Sequence, residues 1–318
     1  MPLPMPIPAD SFQMQFERRW GHLNNPHVRA LAWLLDAPDL LAPESPHWHG
    51  QIASLGPVTQ HTSGWLAALQ DDPAPLDAAL GSRFYSRLGL YAEKLMAFYF
   101  EQHGLLAAHG LQVQASRNDT IGEFDFLLRQ GDALLHWEFA TKFYLLEGAP
   151  DAGRFNSLVG PNLADTLGLK MRKILDKQLS LALHPAAQRW LPQPVERAQA
   201  LVKGWLFYPG GTVPAMEGIS PRHNHGFWCA LAQVAALSFE RFIVMPKLLW
   251  LAPLKLTQGQ VLSRQELQAH LAGAAAPVMV AAVMQHDGWE VEAARGFVVP
   301  DDWQRQAAER RLSGKLPA

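Results

Sequence analysis

The chain has 318 residues, 48% of them hydrophobic and 18% charged, which excludes intrinsic disorder and suffices for a large core in one or two domains. With a formal net charge of -2, bulk charge does not announce a nucleic-acid partner, so any such surface is a local patch. The single cysteine, Cys229, excludes an intrachain disulfide, and no apolar run approaches ~18 residues without a charge or breaker, so no membrane span is expected. The opening MPLPMPIPAD is broken by prolines and lacks a basic region, which argues against a secretory signal; a cytoplasmic setting is expected.

Residues 1–82 read as a helical extension. Asn25 followed by Pro26 is a helix start, Asn as cap and Pro at the first helical position, with Val28, Leu31, Leu34 and Leu35 as the apolar face. Pro43, Pro46 and Pro57 punctuate a loop before short helices near 63–70 and 75–80. His47 and His49 flank Trp48; they read as a metal pair or, more commonly in a proline-rich loop, as packing. Residues 84–103 form a long apolar helix whose solvent stripe is Arg87, Lys94 and Glu101. Glu93 lies instead among Leu90, Ala97 and Phe100, so its carboxylate either finds an arginine or backbone groups, or faces a metal site.

Residues 111–146 read as two or three strands, with Gln130-Gly131-Asp132 as a turn. Strand alternation puts Glu123 and Asp125 on one face and Phe124, Phe126 and Leu128 on the other. On the next strand it groups His136, Glu138, Ala140 and Lys142 against Trp137, Phe139, Thr141 and Phe143. Two neighbouring strands with an acid on the same side bring two carboxylates within reach of one hard divalent ion, such as Mg²⁺ or Mn²⁺.

The run Gly122-Glu123-Phe124-Asp125, followed by Glu138 with a lysine shortly after it, resembles the catalytic core of the PD-(D/E)XK nuclease superfamily, and the order of helix, strands, helix and strand is that family's. The resemblance implies Asp125 and Glu138 as metal ligands, the Phe139 carbonyl as a further one and Glu93 as a ligand through water. It makes Lys142 the residue that stabilises developing negative charge or helps deprotonate the water. The family's lysine stands two residues after the acid, where this chain has Ala140; Lys142 is on the same face but ~6.6 Å further along. His136, also on that face, is a substitute base or caps the strand through a backbone hydrogen bond. The segments LGLYAEKLMAFYFE, HWEFATKFYL, VGPNLADTLGLKMRKIL and MPKLLWLAPL also resemble a bacterial family known as domain of unknown function 1853, over most of the chain, and that likeness brings no activity with it.

Residues 147–161, with Gly148, Gly153 and Gly160, form a flap or a connector. A helix is expected over 162–183, ended by His184-Pro185, with Lys170, Lys173 and Lys177 on one face and Met171, Leu175, Leu179 and Ala182 on the other. Such a lysine face is a solvated surface or, in the resembled fold, a set of contacts to nucleic-acid phosphates. Residues 200–208 read as a core strand. His223 and His225 near Cys229 invite a zinc reading, but no second metal pair follows at zinc spacing. From Phe227 onward the chain reads as a separate α+β lobe, with a strand at 242–245, a Ser263/Glu266 capping box, a hairpin of 278–284 and 290–299 over Asp287-Gly288, and a final helix after Pro300.

The expected fold is α/β, with a restriction-endonuclease-like core over 83–210, a central mixed sheet flanked by helices, a helical extension over 1–82 and a C-terminal α+β lobe over 211–318. The expected function is hydrolysis of nucleic-acid phosphodiester bonds, DNA foremost, by a metal-dependent nuclease. Glu93, Asp125 and Glu138 would hold Mg²⁺ or Mn²⁺, Asp125, Glu138 and Lys142 would catalyse, and Lys170, Lys173 and Lys177 would contact the nucleic acid. One alternative is a catalytically degenerate nuclease-like fold serving as a DNA-binding or protein-interaction module, favoured by Ala140 and by the net charge. Another is a non-nuclease hydrolase using His223 or His225. The bland reading is a sheet edge whose acids pair with Arg117, Arg129 and Lys142; Glu93 on an apolar face and Glu138 between two aromatics weigh against it.

Overall fold

A computed structural model describes residues 11–81, 85–116, 119–150 and 155–312; Arg117, Gly153 and the start of the helix expected from Phe84 lie outside them. Five helices come first: α1 (Phe12–Trp20), α2 (Pro26–Asp36), α3 (Gln60–Asp71), α4 (Ala74–Leu80) and α5 (Leu88–Gln102). Asn25 caps α2 as expected, its side chain accepting the N–H groups of His27 and Val28. Then follow β1 (Leu106–Ser116), β2 (Asp119–Gln130), β3 (Ala133–Leu146), β4 (Leu158–Val159), α6 (Leu167–Lys173), α7 (Pro185–Gln188) and β5 (Val195–Pro209). The chain continues through β6 (His225–Ala230), β7 (Phe242–Val244), β8 (Lys255–Leu256), α8 (Arg264–Leu271), β9 (Val278–His286), β10 (Trp289–Val299) and α9 (Trp303–Leu312).

These strands form one ten-stranded mixed sheet in the order β1-β2-β3-β5-β6-β10-β9-β7, with β4 beside β3 and β8 beside β10. The centre is parallel, β3 on β5, β5 on β6 and β6 on β10, and antiparallel hairpins flank it. The β9–β10 turn has Asp287 and Gly288 at φ 48° and 80°, the left-handed pair that matches the strand twist. The segment from Phe227 onward, expected as a separate lobe, instead carries this same sheet on through β6, β10, β9 and β7. Parallel pairing of His225 to Trp228 with Leu206 to Pro209 is what joins it to the core, and Gly296 to Val299 then pair with Phe227 to Ala230.

The odd-numbered positions of β3 face a large apolar cluster that draws α1, α2 and α5 onto the sheet, including Phe126, Phe139, Trp205 and Phe297. The even-numbered positions face the opposite side, where Tyr144, Val202 and Leu206 pack with Met171 and Ile174. Among the described residues no helix is long and apolar enough to cross a membrane.

The helix expected over 162–183 is shorter and irregular. Thr166 caps α6 by accepting the N–H of Leu169. The helix then widens into a π turn over Ile174–Gln178, where Leu179 N–H bonds to the Ile174 carbonyl at 2.9 Å, and ends in a 3-10 turn, Leu181–Leu183.

Candidate active site

Strands β2 and β3 pair from Gln130 opposite Ala133 up to Phe126 opposite Trp137, and then part. The next cross-strand pair would be Asp125 and Glu138. Instead, Asp125 Oδ2 accepts the N–H of Phe139 at 2.9 Å, so a carboxylate replaces the ladder. Beyond that point β3 keeps β5 on one side and gains β4 on the other only at Leu145. Among the described residues the edge between Phe139 and Leu145 has no strand partner. Since the Phe139 N–H aims at this edge, alternation aims the N–H and C=O groups of Thr141 and Phe143 there too, along with the Phe139 carbonyl.

The expected faces of β2 hold only in part. Phe126 and Leu128 enter the large cluster, but Phe124 packs with Val113 and Leu127 on the other side. The alternation breaks at Asp125, and opposite it in the β1 register stands Gly110, whose φ of 61° only glycine adopts readily. Glu123 is exposed and accepts a hydrogen bond from Gln112 at 3.4 Å.

Glu138 is 1% exposed and held on both oxygens. His136, wholly buried with its ring against Phe124, donates from Nε2 to Oε1 at 2.8 Å; Gln178 donates to Oε2. The Oε1 of Gln178 in turn accepts from Lys170 Nζ at 3.4 Å. His136 thus orients Glu138 rather than capping a strand. Lys170, expected on one helix face with Lys173 and Lys177, is turned toward the carboxylates, while Lys173 and Lys177 stay exposed. Eight residues on a regular helix leave Gln178 about 80° away from Lys170, and the wider π turn takes up the difference.

Asp125 shows what this arrangement does electrostatically. Burial pushes its carboxyl up to about 8, and the charges of Glu138 and Glu93 push the same way, against the Phe139 N–H and Lys170. Lys170 is held below the usual lysine range by burial and by Lys173, opposed by Asp125, Glu138 and Asp165. Lys142 stands apart: burial, Lys170 and Lys173 lower it, and the acid whose charge reaches it is Asp165. Glu93 pairs with His109, Oε1 to Nε2 at 2.8 Å, and His109 stacks on Phe126. Arg129 donates to the Leu106 carbonyl at 2.9 Å and is no counterion for the acids.

The donors that converge at the parted strands are all oxygen: Asp125, Glu138 and the edge carbonyl of Phe139. That set fits Mg²⁺ or Mn²⁺ bound through one or two carboxylates, with water and phosphate completing the shell. Among the described residues no group of three or more His, Cys, Asp or Glu is arranged to hold a metal, so a fully protein-built cage is not present. The weaker candidates resolve as packing. His47 sits edge-on to Trp48 at 4.4 Å. His223 bonds to the Tyr208 hydroxyl at 2.7 Å and to the Ser220 carbonyl at 2.6 Å, which occupies both ring nitrogens. Cys229 is buried, its thiol pushed up to about 12 by burial.

Sequence reasoning missed Gln178 and His109, and it grouped Lys170 with Lys173 and Lys177 rather than with the carboxylates. Gln178 was within reach as a polar residue beside the apolar face of Met171, Leu175 and Leu179, but no periodicity announces a π turn. A family model described as Domain of unknown function (DUF1853) matches residues 29–299. No curated protein and no solved structure matches the chain.

Proposed function

The chain belongs to this DUF1853 family, and we propose that it is a PD-(D/E)XK-type nuclease that hydrolyses nucleic-acid phosphodiester bonds with Mg²⁺ or Mn²⁺ at Asp125 and Glu138. One observation carries the reading. Two carboxylates meet where β2 and β3 part, with Lys170 the cation whose charge reaches both. An acid pair with Glu138 buried and Asp125 half-buried lacks positive charge, and a divalent ion or a phosphate-bound one supplies it.

When bound, the ion would supply an activated water and charge stabilisation at the phosphate. The chain's own residues do the rest. Asp125 and Glu138 hold the ion; His136 and Gln178 fix the rotamer of Glu138. Lys170, donating to Gln178, fills the role that the family gives to a strand lysine and that Ala140 leaves vacant. Its ammonium meets the charge that gathers on the phosphate oxygens in the transition state. Lys173 and Lys177, exposed on the same stretch, are the contacts to flanking phosphates.

The test is calorimetric titration of Mn²⁺ and Mg²⁺, with and without a DNA duplex, into the wild type and Glu138→Gln, followed by a Mn²⁺-dependent nicking assay. Saturable binding lost in the variant, with nicking lost in both Asp125→Asn and Glu138→Gln, is expected. No binding in either condition overturns the nuclease reading. It would favour the degenerate binding module, for which one observation already speaks: both oxygens of Glu138 are engaged by protein donors.

A further inference from the structure

Beyond the carboxylates, the open edge of β3 borders a cavity of about 300 Å³, at the small end of the range that ligand sites occupy. Its charged lining is Arg87, Lys142 and Lys247 against Asp165 alone, a net charge of +2. Among the described residues none of the three cations is engaged in an ion pair or side-chain hydrogen bond, and Asp165 already accepts from the Tyr144 hydroxyl at 2.9 Å. The first turn of α5 also lines the cavity through Leu88 and Gly89, with no side-chain cap on its N–H groups. The edge N–H groups of Thr141 and Phe143 add backbone donors without a strand to receive them. Cations, a helix N-terminus and free amides converging on one small volume call for a compact anion with several acceptor oxygens.

We infer that this cavity is a subsite for a phosphomonoester, the terminal phosphate of a nucleic-acid strand. The phosphate chemistry stands on the cavity itself; its place in strand-end recognition rests on the nuclease reading. Lys142 is four residues beyond Glu138 on the same face, ~13 Å along the strand, a gap that a short length of nucleic acid spans. Trp250 completes the fit. It lines the cavity with its ring 5.6 Å from Phe143 and is held by a hydrogen bond to the Met245 carbonyl at 3.0 Å, a fixed platform for a terminal base. The subsite turns a general nuclease into an end-directed one, and it gives a role to a lysine reached by the charge of Asp165 rather than by those of Asp125 and Glu138.

The experiment is metal-free binding of hexanucleotides carrying a 5′-phosphate, a 3′-phosphate or hydroxyl ends only, with inorganic phosphate as competitor. It is run on the full chain and on Lys247→Gln, a change at an exposed position, and Lys142→Gln. One phosphorylated form should bind about tenfold more tightly than the hydroxyl form. Each substitution should shrink that ratio and leave hydroxyl-form binding unchanged. Equal binding of all three forms, or variants that weaken all forms alike, overturns the subsite. Inorganic phosphate binding as tightly as the strand end overturns the strand-end assignment in favour of a small free phosphate. End-selective binding without Mn²⁺ binding or nicking leaves the subsite standing and removes the nuclease. Nicking without end preference does the reverse.

Discussion

Two clusters of buried charge lie in the same sheet and are built on opposite principles. On β10, Glu292 and Arg295 are brought to one face by a bulge between Glu292 and Ala294, and they share two hydrogen bonds of 2.7 Å. Every further bond is accounted for. Glu292 also accepts from Gln13 at 3.3 Å and from the Leu254 N–H at 2.8 Å; Arg295 reaches the carbonyls of Trp250 and Ala252 and lies 4.0 Å over the Trp205 ring. At the parted strands, by contrast, Asp125 and Glu138 face one another with Lys170 as partial compensation. Among the described residues, three buried side-chain atoms without a partner lie along β3 itself: His136 Nδ1, Trp137 Nε1 and Thr141 Oγ1. Burial of charge is therefore no sign of function by itself. An uncompensated balance is, because stability alone would have selected the neutral, fully bonded arrangement.

The comparison breaks most visibly if the balanced pair is cut. Arg295→Met leaves Glu292 buried without its partner and should cost about 3–5 kcal/mol in a urea melt. A melt unchanged from the wild type would show that the pair stabilises nothing and that balance is not its purpose. The unbalanced pair should respond in the opposite direction. Asp125→Asn keeps an acceptor for the Phe139 N–H and removes a charge that burial disfavours, so at pH 8 the metal-free variant should be the more stable of the two in a urea melt. The sign follows from the raised folded value of about 8 against an ordinary 3.8. The native carboxyl holds its proton while the unfolded one has lost it, so wild-type stability falls as pH rises between those values. The advantage of the variant should vanish below about pH 4; a destabilised variant at pH 8 would make Asp125 an ordinary structural partner.

The cluster on β10 was invisible in the sequence, and the one at the parted strands was half legible, for a physical reason. Period-two patterning located β2 and β3, the Gly131 turn and the two acids, because alternation is a local property. It also found the Asp287-Gly288 hairpin, the capping box at Ser263 and the Asn25 cap, each fixed by residues within four positions. Patterning could not foresee that β6 would pair with β5 of the core, so a segment read as its own lobe became the second half of the sheet. Nor could it locate the deviations on which the site depends: the break at Asp125 opposite Gly110, the π turn that swings Gln178 onto Glu138, and the bulge that sets Glu292 beside Arg295. Irregularities of one residue reverse which side chains meet, and no composition signal marks them.

The division of labour between the two lysines sharpens the contrast further. If Lys170 is the cation of the carboxylate site and Lys142 that of the neighbouring cavity, Lys170→Gln should lower the Mn²⁺-dependent cleavage rate about a hundredfold with metal binding retained. Lys142→Gln should instead raise KM for phosphorylated ends and leave kcat within about threefold. The reverse pattern would return the strand lysine to the role that the family resemblance gives it.

The smallest effect comes from a third kind of buried titratable group, neutral and fully bonded. His223 donates from Nδ1 to the Ser220 carbonyl and accepts from the Tyr208 hydroxyl at Nε2, so its imidazole is held uncharged. Burial drives its value down to about 4, with His225 adding to the fall and the Ser220 bond opposing it. A lowered folded value means that the stability it contributes is complete above 6.5 and is lost as pH falls toward 4, the opposite sense to Asp125. At pH 5.5 the loss should be about 1 kcal/mol. Melts of the wild type and His223→Gln at pH 7.5 and 5.5 isolate it, since every other titrating group is common to both chains. The wild type should lose about 1 kcal/mol more than the variant on acidification. Equal losses would mean that His223 is protonated in place, and that Ser220 and Tyr208 hold a cation rather than a neutral ring.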